Sequence, residues 1–334
     1  MRAFRSVAVV LIAAAVAQAQ TKTGTSISQF LLIEPSSRVA AMGNAGVTLY
    51  GEIQSAYYNP AAMGYLTQNG VQFTHSTWLA DITYDYAAIA LSLGEFGTLL
   101  STVTVLNSGE IEVRTVDQPL GTGELYSVTD LAIGIGFGRQ ISDRFSVGFQ
   151  INYVQETIWH SSMSAFGLNV GTLFKIADDG LHIGASISNF GTRGMFDGRD
   201  LRIQYDREPD RYGDNSALPA SQIVEDFPLP IIFRVGLGYP VTLVQGNVLR
   251  VAVDAYHPSD NTESISIGGE WAYENMFFLR GGYQNLFLQD SEVGLTLGGG
   301  IRYALQSSNF SLDYAWADFG RLIETHRFTL GISF

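Results

Sequence analysis

"HRFTLGISF", residues 326–334, decides the fold. Phe328, Leu330, Ile332 and Phe334 fall on one face, and Thr329, Gly331 and Ser333 on the other. That is the period of a β-strand with one apolar side. The same alternation runs back through 71–79, 83–93, 97–107, 127–139, 144–157, 163–175, 180–190, 229–240, 247–257, 263–273, 276–285, 292–304 and 309–318, with 325–334 the last segment. The pattern predicts about fourteen strands of roughly ten residues, the length a tilted strand needs to cross a bilayer. Connections alternate in length. "GEF", "ISDR", "ADDG", "YEN" and "QSS" are short, while 108–126 and 191–228 are long. Short turns at one end, long loops at the other and an even strand count predict an all-β outer-membrane barrel with both termini periplasmic.

A soluble β-sandwich would also alternate, so the residue types have to decide. Phe145, Val147, Phe149, Ile151 and Tyr153 form one apolar face, and Ile231, Phe233, Val235, Leu237 and Tyr239 another. The opposite faces carry glycine, serine, threonine, glutamine and isolated charges. A soluble surface would be rich in lysine, yet the only lysines are Lys22 and Lys175. Tyr239, Trp271, Tyr273, Tyr303 and Trp316 stand near strand ends, as interfacial girdles do.

The N-terminus is expected to be removed. Arg2 and Arg5, the apolar run Val7 to Val16 and Ala17-Gln18-Ala19 read as a secretory signal over 1–19, with the mature chain starting near Gln20. Without the two signal arginines the chain has 17 basic and 32 acidic residues, which argues against nucleic acid as a partner. There is no cysteine, so disulfide and thiol chemistry are excluded.

Residues 20–68 break the strand period. Ile27, Phe30 to Ile33, Val39 and Met42 need burial, and the inside of the barrel can supply it. A hatch or plug over 20–68 is expected, with a helical piece from Pro35 to Met42 ended by Gly43. In "AYYNPAAMGYL", residues 56–66, Asn59 is an N-cap, Pro60 suits the first helical position and Gly64 the exit. This turn would redirect the chain into the barrel, which occupies 69–334.

The polar strand faces carry Arg234, Arg250, Asp254, Glu270, Arg280, Arg302 and Asp313. Symmetric turns would set Arg250 opposite Glu270, Glu270 opposite Arg280, Arg302 opposite Asp313 and Arg234 beside Asp254. Opposite charges in register are favourable. The set reads as a lumenal charge ladder that fixes register, with an ion or solute path as the other reading. The loop "GRDLRIQYDREPDRYGDN", 198–215, alternates arginines with acids. Its charges either pair locally, or Arg199, Arg202, Tyr205, Arg207 and Arg211 dock an extracellular partner.

Nothing in the chain reads as catalytic, cofactor-binding or metal-binding. His75, His160, His182, His257 and His326 lack metal-ligand spacing. "GIGFG", 134–138, lies within a strand pattern with no helix after it to receive a phosphate. "SDN", 259–261, lacks the Ser-x-x-Lys partner of a β-lactamase, and no G-x-S-x-G occurs.

The segment "FLLIEPSSRVAAMGNAGVTLYGEIQSAYYNPAAM" resembles the N-terminal region of the PorV/PorQ family, within the wider group of the fatty-acid transporter FadL. The matching residues are Phe30-Leu31, Ser37-Arg38, Met42 to Gly46 and Asn59-Pro60-Ala61. The resemblance implies a fourteen-stranded outer-membrane barrel with an N-terminal hatch carrying Arg38, Met42, Gly43, Asn59, Pro60 and Ala61. PorV-like members imply a non-enzymatic accessory or carrier in type IX secretion that binds a translocon or cargo. FadL-like members imply passage of hydrophobic small molecules. Outer-membrane lipid and lipopolysaccharide would surround either. The third strand, "GTLLSTVTVLN", has no internal Pro or Gly to mark the kink of a lateral opening.

Overall fold

A computed structural model describes residues 23–177, 179–211, 217–288 and 291–334; the signal segment 1–19 and the start near Gln20 lie outside them. Fourteen long strands follow one another: β1 Gly70–Thr77, β2 Thr83–Ser92, β3 Thr98–Asn107, β4 Val128–Ser142, β5 Phe145–Ile158, β6 Ser161–Lys175, β7 His182–Gly191, β8 Ile232–Val244, β9 Asn247–Pro258, β10 Ser264–Tyr273, β11 Phe277–Leu286, β12 Leu295–Leu305, β13 Ser308–Asp318 and β14 Glu324–Ser333. Each pairs antiparallel with the next, and β1 closes on β14 from Gly70↔Ser333 to Thr77↔His326. Closure satisfies every strand edge, which a bilayer interior demands. No helix among the described residues is long and apolar enough to cross a membrane.

The two faces differ as the period predicts. Outward positions such as Phe73, Phe149, Ile151 and Leu330 are large, apolar and exposed. Inward positions such as Gln72, Thr74, Ser76, Asn152 and Thr329 are polar and buried. The ring is therefore apolar outside and polar inside, a membrane barrel with a filled lumen. Tyr239, Trp271, Tyr273 and Tyr303 face outward at the end of the short turns. β3 keeps an unbroken register with β2 and with β4, so its wall is continuous.

Residues 23–69 pack against inward-facing side chains of the wall. They contain a 3-10 turn at Gln29–Leu32, the short helices α1 Ser37–Ala40 and α2 Ser55–Tyr58, and a 3-10 helix at Pro60–Tyr65. The Ser36 side chain caps α1 by accepting from Val39 N, so the helix is shorter than the expected Pro35–Met42, and Gly43 follows at φ +64. Asn59 caps the last turn as expected, accepting from Ala61 N at 3.0 Å with Pro60 first. That turn ends on Leu66, and Gly64 lies inside it. Two apolar clusters bind the segment to the wall. Phe30, Ile33 and Met63 pack with Tyr84, Tyr86 and Leu100, and Val39, Met42 and Tyr58 pack with Ala252. A side chain such as Met42 or Met63, fully buried, contributes about 1.5–3 kcal/mol.

The N-terminus, expected to be periplasmic, lies outside the described residues. Phe334 N donates to Asn69 O at the short-turn end. The first described residues sit at the opposite end, where Ile27 N donates to Pro228 O and Gln29 to Asp260. Both ends of the described chain therefore do not share one side. The hatch enters at the long-loop mouth and traverses the lumen to reach β1, because its apolar residues are buried along that path.

Candidate functional site

The hatch is held by ions. Arg38 donates to Glu270 through Nε and Nη2, each at 2.7 Å, a fork-on-carboxylate geometry. Its Nη1 lies 3.0 Å from Glu52, which also pairs with Arg302. Glu270, fully buried, accepts from Arg250 at 2.9 Å and from Arg280 at 2.8 Å. Arg280 reaches on to Asp313 at 2.5 Å. Burial works against the Arg38 charge, yet Glu270 and Glu52 hold its guanidinium more firmly protonated than usual. Burial would likewise raise the Glu52 carboxyl, but Arg38 and Arg302 bring it below the ordinary range.

The structure places the predicted ladder as follows. Arg250 lies opposite Glu270, and Glu270 opposite Arg280, in the expected register. The other two pairings are shifted by two residues. Arg302 faces Ser311, and Asp313 faces Gly300. Arg234 faces Tyr256, and Asp254 faces Gly236. The β12–β13 pairing is centred at 306–307 and not at Ser307-Ser308, and the β8–β9 pairing, with a bulge between Thr242 and Val244, is centred on 245 and not on 244. The displaced groups still find partners. Arg302 takes Glu52 of the hatch, Asp254 accepts from Val47 N at 2.8 Å, and Arg234 donates to Ser188 at 3.0 Å.

Glycines on the inner face explain why the hatch fits. A methyl group at Gly268 would meet Met42 O at 2.0 Å, at Gly148 Pro60 O at 2.2 Å, and at Gly184 Val47 O at 2.3 Å. At Gly300 it would strike Asp313, and at Gly236 Asp254. The wall lacks side chains where hatch backbone or an ion pair needs the space. Asn59 fastens the far side, donating to Val47 O at 2.8 Å and Thr172 O at 2.9 Å. Gly43 N donates to Thr296 and Ser37 N to Thr329. Pro60 and Ala61 sit against β5, where Ser146 donates to Ala61 O. All six hatch-motif residues therefore form contacts between plug and wall.

Space inside is divided. A 340 Å³ cavity at the short-turn end is lined by Arg38, Glu52, His182, Arg250, Phe278 and Arg302. A 460 Å³ cavity at the long-loop mouth is lined by Leu32, Glu34, Arg234, Tyr256 and Asp260. A cavity of 30 Å³, lined by Phe30, Tyr57, Tyr84, Asn152 and Asn189, has room for water but not for a hydrocarbon ligand.

At the long-loop end, Arg202–Tyr205 pairs with Leu218–Ser221 in a projecting hairpin. Arg199 donates to His160, and Arg211 pairs with Glu208 at 2.9 Å. Arg202, Tyr205, Arg207 and Arg211 are exposed. Burial works against the Asp200 charge, yet the hydrogen bonds it accepts from His160 and the nearby Arg199 hold its carboxyl below the ordinary range. Arg38 and Glu52 as members of the ion cluster were not read from the sequence. The surplus of lumenal arginine over carboxylate was the available signal. Among the described residues, no group of three or more His, Asp or Glu side chains is set to hold a metal.

Comparison with known proteins agrees with this geometry. The family model described as type IX secretion system protein PorV matches residues 16–196. No curated protein matches the chain in sequence. The Pseudomonas putida toluene transporter TodX superimposes with a TM-score of 0.57 at 14% identity, covering 90% of this chain and 98% of TodX. A Pseudomonas aeruginosa FadL homologue gives 0.54 at 10% identity, over 95% and 99%. The Ralstonia pickettii toluene transporter TbuX gives 0.53 at 12%, over 90% and 97%. At these identities the likeness is one of fold.

Proposed function

The chain belongs to the PorV family of type IX secretion system proteins, and from that premise we propose that it is a non-enzymatic accessory or carrier in protein secretion. In this reading residues 20–68 are a standing plug, 69–334 the barrel, and the long loops face the cell exterior. The observation that carries it is the filled lumen. Arg38 on Glu270 and Arg302 on Glu52 tie the hatch to the wall, and the cavity beside Phe30, Tyr57 and Tyr84 measures 30 Å³. A barrel closed in this way works through its surface. Arg202, Tyr205, Arg207 and Arg211 would meet acidic groups of a secreted protein or translocon subunit.

A second reading, passage of a hydrophobic solute, is supported by the overall likeness to toluene transporters. It would require the hatch to leave its seat, because β3 offers no break in the wall. Deleting 198–215 separates the two. The carrier reading expects loss of partner capture and of secretion with the barrel intact. Unchanged capture and secretion would overturn the role of this loop.

A further inference from the structure

A pair of like charges lies outside the ion cluster. Asp130 on β4 stands directly opposite Glu156 on β5, both on the inner face near the long-loop mouth. Their row continues with Leu106 on β3 and Met163 on β6. The rows on either side hold Ala132 opposite Val154 and Val128 opposite Ile158. No basic side chain among the described residues faces either carboxylate; the groups acting on Glu156 are Asp130 and Ser28. Like charges directly opposite are unfavourable in a sheet, and burial of Asp130 sharpens the conflict.

Ser28 supplies the second observation. It belongs to the hatch strap, sits in the left-handed region at φ 59 and is 2% exposed. It faces Glu156 through its backbone and its side chain, yet its hydroxyl makes no well-formed hydrogen bond. On either side of Ser28 along the strap, Ser26 and Gln29 donate to Asp260 in the β9–β10 connection. Two carboxylates and a hydroxyl are all hard oxygen donors.

We propose that Asp130, Glu156 and Ser28 form a binding site for a hard divalent cation, calcium or magnesium, which ties the strap to the β4–β5 wall. Up to four carboxylate oxygens and the Ser28 hydroxyl would be offered, with water completing the shell. The cation would neutralise the facing acids and anchor the strap across the mouth.

The test uses the full chain in detergent. Because the chain has no cysteine, Thr25→Cys accepts a single nitroxide on the strap. Calcium chloride should immobilise this label and raise the thermal midpoint, and chelation should reverse both. Asp130→Asn and Glu156→Gln should each abolish the calcium response, while Glu263→Gln on the exposed β9–β10 loop should keep it. Calorimetric titration of the unsubstituted chain should show one site, which guards against a variant that fails to fold. The proposal is overturned if neither cation has an effect, if the response survives in Asp130→Asn and Glu156→Gln, or if the strap follows pH alone. The last result would mean that the carboxyls share a proton instead.

Discussion

Replacing Glu270 with glutamine should loosen the hatch while leaving the barrel closed. Glu270 is fully buried and receives Arg38 twice, Arg250 once and Arg280 once. Removing one partner of a buried pair costs about 3–5 kcal/mol, because the remaining charge stays desolvated. Arg38 keeps Glu52 and Arg280 keeps Asp313, so the lower end of that range applies. A loss of about 3 kcal/mol raises the population with the hatch unseated roughly 100-fold, at about 1.4 kcal/mol per decade. The assay is thiol labelling of Ala45→Cys, a hatch position with no exposed surface in a chain that has no other cysteine. The labelling rate should rise by about two decades with the Gln substitution. Arg38→Ala should have the smaller effect, since Glu270 then keeps two guanidinium partners and Glu52 keeps Arg302. A rate within about threefold of the parent, or the reverse order of the two variants, would refute the lock.

Two further substitutions test the seat itself and a third serves as their control, each read by the same labelling rate and by the urea midpoint. Asn59→Ala removes a cap and two donors, with an expected loss of about 2–3 kcal/mol. Gly43→Ala would place a methyl 2.6 Å from Ile267 O and Tyr283 N at φ +64, costing at least about 2 kcal/mol. Gly24→Ala has positive φ but open space, so only about 1 kcal/mol is expected; equal effects at the two glycines would contradict the close approach.

The fourteen strands were legible because the outward face is lipid-facing and inward residues are polar, so period two survives along each strand. Register was legible around Glu270, since the last pairs, Tyr256↔Ser264 and Tyr273↔Phe277, close symmetrically about Asp260 and Asn275. It slipped at Arg302 and Arg234, where a turn's centre misplaced by one residue moves a pairing by two. Gln306, at φ 53, shows how tightly the first of these turns closes. Residues 23–69 stood apart in the sequence by what they lacked, a strand period, and by their apolar load. Their path could not be read, because hydrogen bonds such as Val47 to Asp254 join residues 207 apart in sequence. The abundance of glycine on the polar face was visible from the start. Its cause, room for hatch backbone and for carboxylates reaching across strands, needed the three-dimensional seat.

Affinity capture of the chain from its native outer membrane, with protein and lipid identified together, tests most directly whether this closed barrel serves a protein partner. Recovery of a secretion translocon or of secreted cargo, with no stoichiometric hydrophobic ligand, is the predicted result. A stoichiometric hydrophobic molecule with no protein partner would contradict it.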